Sequence, residues 1–280
     1  WGVILGSVVL YAVLPNPVTF LLAVILIGSR QLGLAILMHE AAHNALFKTR
    51  WINEFVGEWL CGRPIMAELA SYRHYHLSHH RHTQTDKDPD LHLSAKFPTS
   101  HASLRRKFIR DLTGQTGYRQ LAAQIAMSFR LAGDDEAIEA ATQDAASAFK
   151  ARDVWKSLPM FLGVGVLMSV FGEWWYGLAF WLLPYLTWFQ LVLRIRNIAE
   201  HGATAQSEDP LQNVRTTLAG PVARALVAPY WVNYHLEHHM VMHVPCWRLR
   251  DMHEALKEAG LAGQMRISPT YGHALGEAGW

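Results

Sequence analysis

Three stretches of this 280-residue chain carry no Asp, Glu, Lys or Arg: residues 1–29, 157–172 and 174–193. A charge-free apolar run of about 18 or more residues is long enough, as a helix, to cross a hydrocarbon layer about 30 Å thick. Pro15-Asn16-Pro17 interrupts the first stretch with a strong turn signal. The other two are separated by Gly172-Glu173 and the aromatic trio Trp174, Trp175 and Tyr176, which suits a membrane interface. The pattern predicts four membrane helices in two hairpins: up to about residue 14, then about 18–45, 157–172 and 175–200. The 14 residues before Pro15 reach only about 21 Å at 1.5 Å per residue, short of a full span. The chain opens on Trp rather than Met, so residues upstream are expected. A large soluble helical core is the competing reading of the same runs.

Hydrophobic residues make up 51% and charged residues 17%, against roughly 25% charged in an ordinary soluble domain, which excludes a disordered chain. With 25 basic and 23 acidic residues the net charge is +2, no footprint for nucleic acid, and none is expected as a partner. Sixteen of the Lys and Arg residues lie in 44–156 and six in 202–280, with none in the two short turns. The positive-inside tendency then places both long segments and the C-terminus on the cytoplasmic side of a multi-pass protein. Cys61 and Cys246 are too few for a disulfide scaffold or a four-Cys zinc module and are expected as free thiols. Residues 52–72 and 217–234 read as interfacial helices, and 118–150 as amphipathic helix broken near Gly133-Asp134-Asp135. One domain is predicted over 1–280: a first hairpin (1–45), a second segment (46–156), a second hairpin (157–201) and a last segment (202–280).

Sixteen histidines are the unusual part of the composition. They gather in His39-x3-His43 at the far end of the second helix and His76-x2-His79-His80 in the following segment. His201, four residues after Asn197, ends the fourth helix, and His235-x2-His238-His239 follows it. Spacings of three and four put side chains on one helix face. From Pro17 to His39 a helix runs about 33 Å, and from Trp175 to His201 about 39 Å, both beyond the hydrocarbon core. Nine imidazoles are therefore expected to converge at one membrane face. That is too many for one zinc with four ligands, and it fits two metals with four or five nitrogens each. Asp88, Asp90, Glu40, Glu200 and Glu237 lie beside these groups. They are expected to accept hydrogen bonds from the second N–H of bound imidazoles. His74, His82, His92 and His243 fall off the register and are expected outside the ligand set. His82 is the least settled of the four.

The three boxes, in this order and with these gaps, resemble those of the membrane fatty acid desaturase family, part of a superfamily that includes lipid hydroxylases and carotenoid ketolases. The resemblance extends to Thr83, Asp88-Pro89-Asp90, Val244-Pro245 and Asn197-x3-His201, and covers about residues 17–257. It departs at Met242, where many members have Pro, and these 280 residues contain no cytochrome b5 haem motif. The resemblance implies an all-α membrane protein with a helical cytosolic cap over a diiron centre held by the nine histidines. Asn197 would act through a water. It also implies O2 as co-substrate, an acyl chain entering from the bilayer, and electrons from a separate ferredoxin, rubredoxin or cytochrome b5 type donor.

Whether such a site makes a double bond or inserts oxygen, as a lipid or carotenoid hydroxylase or ketolase would, is left open by these residues. His39-Glu40-x2-His43 alone also matches a zinc metalloprotease signature, a reading that leaves seven histidines unexplained. Arg30, within the second helix, is expected to pair internally or to snorkel to the interface. Arg105, Arg106, Lys107 and Arg110 form a basic face suited to anionic headgroups or an acidic donor. Phe180, Trp181, Tyr185 and Trp188 are tunnel or core candidates.

Overall fold

A computed structural model describes residues 1–128 and 154–279, so the expected break at Gly133-Asp134-Asp135 lies outside the described residues. Helix α1 (Gly2–Val13) and helix α2 (Pro17–Ala42) form the first hairpin. Its turn is a capping box. The Asn16 side chain accepts from the amides of Val18 and Thr19 at 2.9 and 3.1 Å, the Thr19 hydroxyl accepts from the Asn16 amide, and Pro17 opens α2.

Helix α3 (Arg50–Phe55) runs through a π-helical turn, Val56–Gly62, and a 3-10 turn, Arg63–Ile65, to Met66 at φ 63°. The helix expected over 52–72 is therefore split. Gly57 is pressed so close to α2 that a Cβ would meet the Ala41 Cβ at 2.3 Å, and Pro64 follows. Helices α4 (Leu69–His82), α5 (Leu91–Ser94), α6 (His101–Leu112) and α7 (Gln115–Ser128) complete this segment. The second hairpin is α8 (Val154–Ser169) and α9 (Leu178–His201).

Among the described residues, α2 and α9 are the helices of 18 residues or more that are apolar enough to cross a membrane. The core lies between the hairpins, with Ile4, Val8, Ile27, Phe180, Trp181 and Tyr185 buried. Phe180, Trp181 and Tyr185 are thus core side chains. Trp188 donates to Ser29 Oγ at 2.9 Å, joining α9 to α2. Arg30 donates to the Ala225 carbonyl, so it ties α2 to the short helix α10 (Pro221–Leu226).

The last segment adds α11 (His235–Met240), α12 (Leu249–Glu258) and α13 (Tyr271–Ala278). Residues 217–234 are not one helix. Pro221 and Pro229 bracket α10, and Tyr230 and Trp231 adopt positive φ. The described residues are mostly helical and depart from an all-α fold where β1 (Thr216–Thr217) pairs parallel with β2 (Ile267–Ser268) and where an isolated bridge joins Thr99 and Gly279.

Candidate metal centre

The histidine boxes are carried by helices, two of them at a helix C-terminus. Box one closes α2, with His43 as its C-cap, box two fills the last turns of α4, box three is the body of α11, and His201 ends α9. The structure brings all nine histidines together in overlapping groups. His39, His43, His76, His80 and His238 have ligand atoms within 4.8 Å of one another, as do His79, His201 and His239. His235 joins the second set, its Nε2 lying 3.0 Å from His201 Nε2 and 3.1 Å from His239 Nε2. The two sets meet where the His80 and His239 rings stack at 4.1 Å.

The nitrogen contacts test whether this donor set fits a metal. Nε2 of His76 lies 2.9 Å from Nε2 of both His43 and His80, and His80 Nε2 lies 3.1 Å from that of His238. A ring nitrogen is one donor or one acceptor, so His76, His80 and His235, each with two such neighbours, are not satisfied by imidazoles alone. Two imidazoles bound in adjacent positions at about 2.1 Å from one ion, at right angles, put their nitrogens about 3 Å apart. Nε2 of His39 is buried without a hydrogen-bond partner. Burial holds His43 down to about 3, with His243 and Arg73 adding to the effect, and burial holds His76, His80, His235, His238 and His239 well below the ordinary range. These are neutral imidazoles, the form that ligates. Donor type, spacing and protonation all fit metal ions.

The carboxylates divide by what they touch. Asp88 accepts from His79 Nδ1 at 2.7 Å and from the amides of Gln84 and Asp90 at 2.8 Å. Burial alone would lower His79, but the Asp88 hydrogen bond, with Asp90 and Glu200, raises it. Asp90 accepts from the Tyr75 hydroxyl and lies 3.8 Å from His79. Glu40 is 3.5 Å from His39 Nδ1 and accepts from the Cys246 amide at 2.8 Å. Glu200 is held by Arg196 at 2.7 Å, and its other oxygen is 3.4 Å from His235 Nε2, the nitrogen that faces the cluster rather than the outer one. Glu237 departs from the expectation. Its oxygens bond His253 Nδ1 at 2.5 Å and the Thr216 hydroxyl, not a box imidazole.

A cavity of about 70 Å³ opens beside the cluster, walled by His76, His79, His201 and His235 with Asn197 and Arg196. Asn197 lines this cavity with them, without a hydrogen bond to a box histidine among the described residues. A separate open cleft, with Arg81 and Lys87 on its wall, exposes edges of His80 and His239. His74, His82, His92 and His243 stay outside the histidine groups among the described residues. Sequence reasoning missed His253, whose position in the amphipathic α12 carries no box signal. It also missed Tyr72, which stacks on His76 at 5.1 Å and 10° and was legible as a residue four before a box histidine. Cys61 and Cys246 are buried and free.

A family model described as fatty acid desaturase matches residues 15–271. Among curated proteins the chain is similar to a dihydrorhizobitoxine desaturase of Bradyrhizobium elkanii, at 27% identity over 84% of this chain and 66% of that protein. It is also similar to an sn-1 oleoyl-lipid 12-desaturase of Synechocystis sp., at 26% over 82% of this chain and 66% of that protein. A third relative is an sn-1 acyl-lipid omega-3 desaturase (ferredoxin) of Nostoc sp., at 23% over 82% of this chain and 65% of that protein. The chain thus spans about two thirds of the length of these relatives. With the box histidines gathered as described and the match running through nearly the whole chain, the protein belongs to the fatty acid desaturase family.

Proposed function

We propose that the protein is a membrane oxidoreductase that desaturates an acyl chain with O2, using a diiron centre and electrons from a separate donor protein. The observation that carries this reading is the convergence of nine imidazoles from four helices into two adjoining sets, in a chain of this family. His39, His43, His76, His80 and His238 would hold one iron, and His79, His201, His235 and His239 the other, with Asn197 placed to hold a water beside the second. Bound iron supplies the oxidising power to remove hydrogen from an unactivated methylene. The chain's own work is positioning. Asp88 fixes the His79 ring through Nδ1, Glu40 braces His39, and Tyr72 stacks on His76. Leu193, Met38 and Ala35 give the cavity an apolar wall for an acyl segment.

In this reading α1, α2, α8 and α9 are four spans, the histidine cluster and the C-terminus face the cytoplasm, and the rest forms a helical cap within one domain. The apolar character of α2 and α9 and the distribution of Lys and Arg support it. The open cleft at His80 and His239 would be the approach for a ferredoxin, rubredoxin or cytochrome b5 type donor. A relative named for ferredoxin supports that choice. Expression in a host of known lipid composition, with mass spectrometry of its lipids, tests the activity. A new double bond is expected, whereas a retained oxygen atom would assign the branch to a hydroxylase or ketolase. Peptidase activity abolished by Glu40→Gln would instead support the zinc reading.

A further inference from the structure

Helix α9 ends on Arg196-Asn197-Ile198-Ala199-Glu200-His201. Glu200 and His201 lie three and four residues after Asn197, so the three share one helix face, and all three line the cavity at the histidine cluster. The two oxygens of Glu200 have different surroundings. Oε1 accepts from Arg196 Nε at 2.7 Å, whereas Oε2 is 3.4 Å from His235 Nε2. That nitrogen also lies 3.0 Å from His201 Nε2 and 3.1 Å from His239 Nε2. A ring nitrogen carries one proton or one lone pair, so it cannot satisfy three polar atoms, whereas a cation among them satisfies all. Donors about 2.1 Å from one ion stand about 3.0 Å apart at right angles and about 3.4 Å apart at the tetrahedral angle. Ligand atoms of Glu200, His201 and His235 lie within 4.8 Å of one another, as do those of His79, His201 and His239. Asp88, by contrast, bonds Nδ1 of His79, and Glu237 turns to His253.

The plainer account of Glu200 is an ion pair along α9. Both side chains are largely buried, though, at 11% and 4% exposure, and a buried pair adds little stability because desolvation offsets its attraction. What Oε2 faces explains the placement better. We propose that Glu200 is a direct carboxylate ligand, through Oε2, of the ion held by His79, His201, His235 and His239, with Arg196 as the residue that positions it. The inference rests on the diiron reading and deepens it. The two ions then differ: five imidazoles hold one, and four imidazoles with one anion hold the other. The carboxylate also offsets one unit of the charge that two divalent ions bring into a buried site.

Cobalt(II), which takes the same nitrogen and oxygen donors as ferrous iron, serves as the probe. It is titrated anaerobically into the metal-free full chain in phosphatidylcholine nanodiscs and followed by its visible absorption, whose bands report the atoms bound, apart from any turnover. Glu200→Gln keeps an oxygen for Arg196 Nε and removes the charge, so the fold should persist. Removing a group that only orients a ligand costs about 10–100-fold in metal affinity. Loss of Glu200 itself should therefore weaken one of the two ions by more than about 100-fold and change its bands. Asp88→Asn should weaken binding with the bands kept. In Glu200→Ala, formate, small enough for the cavity of about 70 Å³, should restore the bands. Unchanged affinity in Glu200→Gln, or weaker binding with unchanged bands, would overturn the proposal, as would a Glu200→Ala chain that does not respond to formate. The unmodified chain is counted in the same titration. A count of one ion speaks against the paired-iron reading alone, and the effect of Glu200→Gln on that ion still decides whether Glu200 binds it.

Discussion

Asp88 is the carboxylate with the closest hold on a box histidine, bonded to His79 Nδ1 while two backbone amides fix its own oxygens. Removing its charge with Asp88→Asn should weaken iron binding by about 10–100-fold, read by competition with a chelator, at little cost to the fold. His201 lies outside the three boxes yet its Nε2 sits 3.0 Å from that of His235. His201→Ala should abolish turnover and lower bound iron, whereas His74→Ala, at an exposed position, should retain both. The gathering of the box histidines was legible because spacings of three and four residues return a side chain to the same helix face. The carboxylates were less so. Glu237 is two residues from His235, about 200° around α11, so it turns away from the cluster toward His253 and Thr216. Glu200, next to His201, is held by Arg196 one helical turn earlier, an i,i+4 pair that the sequence spacing already offered, whereas its approach to His235 is long-range and had no local signal.

At the scale of elements, the hairpin turn at Asn16 gives a direct test of why α2 starts where it does. Asn16→Ala removes the Oδ1 that accepts from both the Val18 and Thr19 amides and should cost about 1 kcal/mol, seen as a lowered melting temperature with iron content unchanged. The second hairpin closes on glycine. A Cβ at Gly177 would sit 2.5 Å from the Gly165 carbonyl oxygen, so Gly177→Ala should destabilise the protein by about 1–3 kcal/mol through overpacking. Both long apolar helices could be read from their uncharged runs, but the π-helical turn Leu178–Leu182 and the break at Thr187 (φ -117°, ψ -88°) within α9 had no sequence signal beyond Pro184. The segment 217–234 could not. Its aromatic and small residues suit an interfacial helix, but Pro221, Pro229 and two positive-φ residues leave only the short α10. The β1–β2 pair was also hidden, because two residues at each strand carry no periodicity and the partners are about fifty residues apart.

For the whole molecule, the placement of the cluster at one end of α2 and α9 makes membrane orientation and chemistry one question. If the long segments lie on the cytoplasmic side, a reporter fused after residue 279 should be active only as a cytoplasmic fusion, and activity restricted to the opposite compartment would reverse the assignment. The claim on which everything else stands is that nine imidazoles hold two irons. The most direct test is the metal content of the purified chain after anaerobic reconstitution with ferrous iron. The account predicts two irons per chain, and a protein that retains one metal or none would contradict it.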